Sequence, residues 1–186
     1  AVEIRKELEH RGAIFQTTID SEVIAYLIAR ERVHSHSVEA AVSAAMKQLD
    51  GSYSLLVMSP RKLIAARDPH GFRPLCMGKL EGSYVFASES CALDAAGAEF
   101  VRDIEPGEIV VVDDRGITSI KDNCPKESKK SLCVFEYIYF ARTDSIIDGI
   151  GVYESRKEAG RILAREFPVD ADLVIGVPES GIDAAI

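Results

Sequence analysis

The sequence predicts an α+β layer sandwich that is followed by the beginning of a parallel α/β sheet. Two segments with apolar residues at helical spacing come first, and a series of short β-rich runs follows them. After a polar stretch the pattern changes to helix, apolar run, turn and the start of another helix, which is typical of a parallel sheet. We therefore expect parts of two domains, at residues 1–121 and 122–186.

Two helices are predicted before the first strand. Asp20 can cap the first helix, which is expected to end near Glu31. The apolar residues of this helix fall on one face, at Val23, Ile24, Leu27 and Ile28. The second helix is expected to begin after Ser37 and to continue until Asp50-Gly51 stops it.

From Gly51 onward the apolar residues alternate with a period of two, which predicts short strands separated by turns. A short helix, Cys91–Ala96, interrupts the series. We expect an antiparallel meander of the strands before this helix, at Tyr53–Met58, Lys62–Arg67, Leu75–Gly78 and Tyr84–Ser88. Further strands are expected after it, at Phe100–Ile104, Ile109–Val112 and Ile117–Ile120.

The segment Lys121–Ser131 is charged and broken by a proline, which is typical of a crossing between domains. Beyond it we expect an aromatic run, a helix, a buried strand and a turn, at Val134–Phe140, Glu154–Phe167, Leu173–Val177 and Pro178–Gly181. One strand and one complete helix cannot cover both faces of a parallel sheet. The second domain is therefore expected to be incomplete.

Composition argues against several classes of protein. Of the 186 residues 47% are hydrophobic and 28% charged, and no apolar run approaches the ~20 residues that a membrane span needs. The net charge of −8 argues against attraction to a nucleic-acid backbone. The four cysteines form no Cys-x-x-Cys pair, and a chain of this size needs no disulfides, which favours a reducing cytoplasm. Because the first methionine is Met46, we expect an internal piece of a longer protein.

Two clusters of polar residues have an ordinary structural explanation. His34 and His36 could hold a metal ion, but a lone His-x-His pair between helices is more often a solvated turn. Asp68, His70 and Arg73 could form a charge relay. Asp-Pro and His-Gly are also turn chemistry between strands, and arginines can fix such a turn by pairing with nearby carboxylates. For the second cluster we favour the structural interpretation.

Two helix starts are candidates for ligand binding. Asp20 is what capping would select, although an ionised aspartate beside exposed backbone donors could also receive a ligand's ammonium group. The turn Pro178–Gly181 follows a predicted strand, where open α/β sheets bind ligands and helix N-termini present N–H groups to anions. A phosphate or pyrophosphate would fit there. The hydroxyl of Ser180 could contact it or a magnesium-bound water, or could simply cap the helix.

Six segments together resemble one family, the glutamine phosphoribosylpyrophosphate amidotransferases, also called amidophosphoribosyltransferases. The pieces Thr17–Glu22 and Arg67–Leu75 are also similar to other N-terminal-nucleophile glutaminases. Phe135–Ser145 followed by Val177–Gly181 selects this family. The full segments are Arg11–Val23, Ala66–Gly78, Phe86–Asp94, Glu105–Val112, Phe135–Gly149 and Val174–Gly181.

The resemblance implies a two-domain enzyme of purine biosynthesis, a glutamine amidotransferase and glycosyltransferase. Such an enzyme converts phosphoribosyl pyrophosphate and glutamine to phosphoribosylamine, glutamate and pyrophosphate. The implied fold is a partial N-terminal-nucleophile (αββα) glutaminase sandwich, followed by the start of a type I phosphoribosyltransferase α/β domain. The resemblance also implies a homo-oligomer with purine nucleotides as feedback ligands.

The family's catalytic cysteine stands at the mature N-terminus and has no counterpart in this chain. Its own α-amino group serves as the base, so nucleophile and base arrive on one residue. No catalytic residue is therefore assigned, and the isolated chain is expected to be inactive.

Three positions carry over from the family by resemblance. Asp20 matches the aspartate that receives the α-amino group of glutamine. Ser180, with Glu179 and Gly181 beside it, matches the pyrophosphate loop and its Mg²⁺ contact. Cys133 matches a ligand of a 4Fe–4S cluster in cluster-bearing members, whose other three ligands would lie outside this chain.

Two alternatives remain open. The chain could belong to another N-terminal-nucleophile glutamine amidotransferase, such as one whose second domain isomerises a sugar phosphate. It could also belong to a non-catalytic, nucleotide-sensing relative with an inactive glutaminase domain.

Overall fold

The structure is a computed structural model that describes residues 2–126 and 130–186. The described chain divides into two compact units. Residues 2–69 and 106–126 form the first unit, and residues 70–105 and 130–186 form the second. The assignment of residues 1–121 and 122–186 to two domains stays a prediction.

Three helices precede the strands of the first unit: α1 (Val2–His10), α2 (Asp20–His34) and α3 (Val38–Met46). The sequence did not predict α1, and α2 extends beyond the predicted end near Glu31. The helix α3 begins after Ser37, as predicted. Ser37 caps it, because its Oγ accepts a hydrogen bond from the backbone N–H of Ala40 at 3.2 Å.

Every strand predicted between residues 53 and 120 is present, and its ends differ from the predicted ones by at most two residues. They are β1 (Ser54–Ser59), β2 (Lys62–Arg67), β3 (Cys76–Leu80), β4 (Ser83–Ala87), β5 (Glu99–Asp103), β6 (Ile109–Asp113) and β7 (Gly116–Ile120). The helix α4 (Ser90–Ala96) lies between β4 and β5, where the sequence predicts a short helix.

The prediction of a single antiparallel meander, however, is wrong. The first unit contains a sheet of order β1-β2-β6-β7, and the second contains a sheet of order β4-β3-β5. The hairpins β1–β2, β3–β4 and β6–β7 pair as sequence neighbours, as a meander requires. The pairing of β2 with β6 joins strands that are distant in sequence, and periodicity alone carries no information about such a partner.

The core of the first unit lies between α3 and its sheet. Val42 and Met46 of α3 pack with Tyr53 and with residues of two strands, in a cluster completed by Ile64 and Ala66 of β2 and by Ile109 and Val111 of β6. Burial without a hydrogen-bond partner raises the pKa of Tyr53, and the nearby charge of Asp68 adds to that shift.

The rest of the second unit begins with the predicted aromatic run, where Glu136–Phe140 form a π-helical turn. A two-stranded ribbon follows, β8 (Ile146–Ile147) with β9 (Ile150–Gly151), and then the helices α5 (Val152–Glu166) and α6 (Ser180–Ala185). The helix α5 confirms the one predicted at Glu154–Phe167 to within two residues.

The strand predicted at Leu173–Val177 is absent. Its apolar residues are exposed, with Ile175 at 79% and Val177 at 77%. A parallel strand needs a neighbouring strand to satisfy its backbone groups and helices to cover its faces. Among the described residues no strand pairs with this segment. The segment therefore has the apolar composition of a buried strand but lacks the neighbouring strands that would make it one.

Candidate functional sites

The loop before α2 is fixed by Glu22, which the sequence analysis did not single out. One carboxylate oxygen of Glu22 accepts the backbone N–H of Gln16 at 2.9 Å, and the other accepts the N–H of Thr17 at 2.8 Å. The hydroxyl of Thr17 also donates to Glu22. These hydrogen bonds, first the one from Gln16 and then the one from the Thr17 hydroxyl, lower the pKa of Glu22.

This arrangement corrects the predicted capping role of Asp20. The N-cap of α2 is Ile19, whose side chain makes no capping hydrogen bond, and Asp20 is the first helical residue. Glu22 reaches back to the loop instead. The carboxylate of Asp20 is exposed and accepts no hydrogen bond from the described residues. It is therefore available to a ligand, at a helix N-terminus that favours negative charge.

The loop before α2 is expected to loosen in acid. Because the pKa of Glu22 is lowered in the folded chain, the stabilising effect of its carboxylate is fully present above the ordinary pKa of 4.5 and disappears as the pH falls through the folded pKa. Amide hydrogen exchange at Gln16 and Thr17, corrected for intrinsic rates, should accelerate over that range. In Glu22→Gln the acceleration should be absent, whereas an unchanged pH profile in this variant would contradict the assignment.

The turn at residues 178–181 closes tightly on itself. The helix α6 begins at Ser180, and the N–H of Gly181 donates to the carbonyl oxygen of Val177 at 3.0 Å. Gly176 is needed for this approach, because a Cβ there would lie 2.5 Å from the carbonyl oxygen of Gly181. These contacts thus fix the backbone around Glu179, Ser180 and Gly181, although no strand precedes the turn.

A cavity of about 490 Å³ opens beside this turn. Its lining includes Glu179 and Ser180 of the turn, together with Arg142 and Thr143. Tyr139 and Phe140 from the π-helical turn also line it. The cavity therefore combines cationic, hydroxyl and aromatic groups with the carboxyl groups of Glu89 and Glu179, a set that suits a polar organic ligand.

A buried ion pair connects α5 and α6, and its arginine, Arg156, also lines the cavity. Arg156 of α5 is 5% exposed, and its Nη1 lies 3.4 Å from Oδ2 of Asp183 in α6. The hydroxyl of Thr143 donates to the same oxygen at 2.6 Å and accepts from Arg156 Nη1 at 2.9 Å. Two further donors of Arg156 reach the carbonyl oxygens of Tyr137 and Ala141, each at 2.7 Å. One arginine thus holds three segments together: α5, α6 and residues 137–143.

The segment that carries Cys133 pairs with the loop at residues 70–72. The N–H of Ser131 donates to the carbonyl oxygen of His70 at 2.9 Å, and that of Cys133 donates to Phe72 at 3.1 Å. Arg73 pairs with the buried carboxylate of Glu136 at 2.6 Å. This ion pair agrees with the structural interpretation of the Arg67–Leu75 segment, in which arginines fix the turn by pairing with carboxylates.

The described residues do not fit a complete iron–sulfur cluster. Cys133 is a half-buried free thiol, and no group of three or more His, Cys, Asp or Glu side chains in the described ranges is arranged to hold a metal ion. A 4Fe–4S cluster needs four ligands. No chemical step is therefore assigned to a cluster. Mg²⁺ is different, because it keeps several of its waters and is bound largely through substrate phosphates, so a hydroxyl such as that of Ser180 can contact a magnesium-bound water.

Within the part of the chain that the structure describes, no helix has both the length and the apolar character that a membrane crossing requires.

Comparisons with known proteins cover the whole chain. A family described as a glutamine amidotransferase domain matches residues 1–95. The amidophosphoribosyltransferase of Archaeoglobus fulgidus is 46% identical over 184 residues, which is 99% of this chain and 40% of that protein. The chain therefore spans about two fifths of the length of such relatives.

Two solved structures have the same fold. One is described as the allosteric regulatory enzyme of purine biosynthesis, with a TM-score of 0.91 and 43% identity over 100% of this chain and 39% of the other. The second is the glutamine phosphoribosylpyrophosphate amidotransferase of B. subtilis complexed with ADP and GMP. Its TM-score is 0.91, with 42% identity over 99% of this chain and 40% of the other.

These comparisons confirm the predicted resemblance and fold class. The family match covers half of the chain, and the two structures extend the similarity to its end. The chain therefore belongs to the glutamine amidotransferase domain family.

Proposed function

We propose that the chain is part of an amidophosphoribosyltransferase, which uses glutamine and phosphoribosyl pyrophosphate to form phosphoribosylamine, glutamate and pyrophosphate. One observation carries the proposal. The similarity to the A. fulgidus amidophosphoribosyltransferase covers 99% of the chain, including residues 130–186 with the cavity beside Ser180. The glutamine amidotransferase match alone ends at residue 95, so it would also suit other amidotransferases.

In this proposal Asp20 receives the α-amino group of glutamine. Its carboxylate is exposed and takes no part in capping α2, while Glu22 fixes the loop beside it. An ammonium group brought to an ionised carboxylate gains a charge-assisted hydrogen bond. Asp20 thus orients the substrate and takes no part in breaking the amide bond.

The turn with Glu179, Ser180 and Gly181 takes the pyrophosphate group in the same proposal. Ser180 lines the cavity of about 490 Å³, and its hydroxyl can contact a phosphate oxygen or a water of the Mg²⁺ that accompanies the substrate. Thr143 and Arg142 on the cavity wall supply further donors. When bound, Mg²⁺ would neutralise phosphate charge.

Several properties of the longer protein belong to the same proposal. It forms a homo-oligomer, resides in the cytoplasm and responds to purine nucleotides. The last point is supported by the B. subtilis structure, which is described as complexed with ADP and GMP. A 4Fe–4S cluster with Cys133 as one ligand is also proposed, and iron analysis of the full-length protein against Cys133→Ser would test it.

The central experiment replaces Asp20 by asparagine in the full-length protein. Each factor of ten in an equilibrium constant corresponds to about 1.4 kcal/mol, so loss of the charged contact should raise the KM for glutamine by about 10–100-fold. Synthesis with ammonia instead of glutamine should be unchanged. The matched control is Asp50→Asn, at an exposed aspartate outside the described helices and strands.

Three results would separate the candidate functions. Synthesis of phosphoribosylamine by the wild type supports the proposed enzyme. Glutamine hydrolysis without use of phosphoribosyl pyrophosphate would indicate a different amidotransferase. Nucleotide binding without either reaction would indicate the non-catalytic relative. An unchanged KM for glutamine in Asp20→Asn would refute the role of Asp20 alone.

A further inference from the structure

Glu89 stands immediately before α4, but its side chain makes no capping hydrogen bond to that helix. One of its carboxylate oxygens, Oε2, accepts the backbone N–H of Arg142 at 2.7 Å and the hydroxyl of Ser145 at 2.8 Å. Both donors lie more than 50 residues further along the chain. The carboxylate therefore binds a distant turn and leaves its own helix uncapped.

The next residue extends this attachment. Ser90 is 7% exposed, and its hydroxyl oxygen accepts the N–H of Ile146 at 2.8 Å. Within the turn itself, the N–H of Ser145 donates to the carbonyl oxygen of Arg142 at 2.9 Å. Residues 142–146, called the 142–146 turn below, are thus held at both ends by two adjacent side chains.

The opposite side of the 142–146 turn is bound to α6. Thr143 donates to Asp183 at 2.6 Å, and Arg156 contacts both residues. The helix that contains Asp183 begins at Ser180. The 142–146 turn therefore lies between Glu89 on one side and the helix of Ser180 on the other.

The same groups meet at the cavity of about 490 Å³. Its lining includes Glu89, Arg142, Thr143 and Ser180. Because charge-assisted hydrogen bonds from backbone donors are short and directional, Glu89 restricts where Arg142 can lie. A shift of the turn would move Arg142 and Thr143 relative to the phosphate-binding groups.

We propose that Glu89 is a positioning residue for the phosphoribosyl pyrophosphate site: its carboxylate fixes the 142–146 turn, and this turn fixes the cavity wall beside Ser180. The inference rests on the proposed function. Glu89 precedes residue 95 and so lies inside the glutamine amidotransferase match, whereas the cavity groups that it positions lie beyond that match. Glu89 thus connects the glutaminase segment of the sequence to the second substrate's site.

The test compares Glu89→Ala, Glu89→Gln and the control Glu99→Ala, an exposed glutamate of β5, in the full-length protein. Ammonia serves as the nitrogen donor, so the glutamine site is bypassed. Since each factor of ten in an equilibrium constant corresponds to about 1.4 kcal/mol, loss of the Glu89 contacts should raise the KM for phosphoribosyl pyrophosphate about tenfold in Glu89→Ala. The kcat should change less than the KM. Glu89→Gln keeps an acceptor oxygen and should recover part of the loss, and Glu99→Ala should match the wild type.

A second measurement reports on the hydrogen bonds directly. Amide exchange of peptides that cover the 142–146 turn should accelerate in Glu89→Ala and remain unchanged in Glu99→Ala. If Glu89→Ala does not fold, the KM and the amide exchange are both measured on Glu89→Gln. An unchanged KM for phosphoribosyl pyrophosphate in an active Glu89 variant would overturn the inference. Absence of phosphoribosylamine synthesis in the wild type would instead overturn the proposed function.

Discussion

Arg156→Ala is expected to lower the free energy of unfolding by about 3–5 kcal/mol, because removing one partner of a buried ion pair leaves the other charge uncompensated. Asp183, which is 7% exposed, would remain with the Thr143 hydroxyl as its neutral partner. The carbonyl oxygens of Tyr137 and Ala141 would lose their donors as well. Urea unfolding followed by circular dichroism measures the change.

The matched control is Arg161→Ala in the same helix. The Arg161 side chain is 61% exposed, and among the described residues its one ion pair is with Glu158 at 3.2 Å, so the expected change is about 0.5 kcal/mol or less. The double variant Arg156→Ala with Asp183→Ala should lose less stability than the sum of the losses in the two single variants. Each single variant leaves one buried charge without its partner, whereas the double variant removes both charges. Equal losses in Arg156→Ala and Arg161→Ala would contradict the buried ion pair.

Gly160→Ala is expected to destabilise the protein by about 1–3 kcal/mol, the usual cost of overpacking. A Cβ at Gly160 would overlap the backbone carbonyl oxygen of Ala184, which cannot rotate away as a flexible side chain could. Helix propensity alone predicts the opposite sign, since alanine is favoured over glycine inside a helix by about 1 kcal/mol. The sign of the change therefore tests the close approach of α5 and α6.

The control for this variant is Glu158→Ala, an exposed position two residues earlier in α5, where a change within about 0.5 kcal/mol is expected. Thermal unfolding of both variants provides the measurement. Stabilisation by Gly160→Ala would show that α5 and α6 do not approach at this point. Because Ser180 begins α6, the proposed role of Ser180 implies that the same variant also raises the KM for phosphoribosyl pyrophosphate in the full-length protein.

Local patterns in the sequence were sufficient for most helices and strands. The helix α3, the strand β2 and the hairpins all follow from periodicity and turn residues, which act between close neighbours. The helix α1 was not predicted, because its nine residues, VEIRKELEH, contain only three apolar ones and give a weak helical periodicity. The segment Leu173–Val177 shows the opposite error, because a strand was predicted there and none is present. A strand is defined by its partners, and composition carries no information about them.

The candidate sites divide in the same way. Asp20 and Ser180 were found because helix starts have a local signature and because the resemblance assigns them a role. Arg156 and Glu89 were missed, since their partners lie up to 27 and 56 residues away. Glu22 was missed for a local reason. The usual capping pattern has Ser or Thr three residues before the glutamate, and here that position is Ile19.

The uncovered segment Leu173–Val177 has a practical consequence for handling the protein. Five consecutive residues rich in Val, Ile and Leu, without strand neighbours among the described residues, form the type of sequence that pairs between molecules. Leu163 and Phe167, shortly before it in the sequence, are exposed as well. Concentrated solutions of the isolated chain would therefore be prone to aggregation, and Asp170 and Asp172 would act as flanking charges that oppose it.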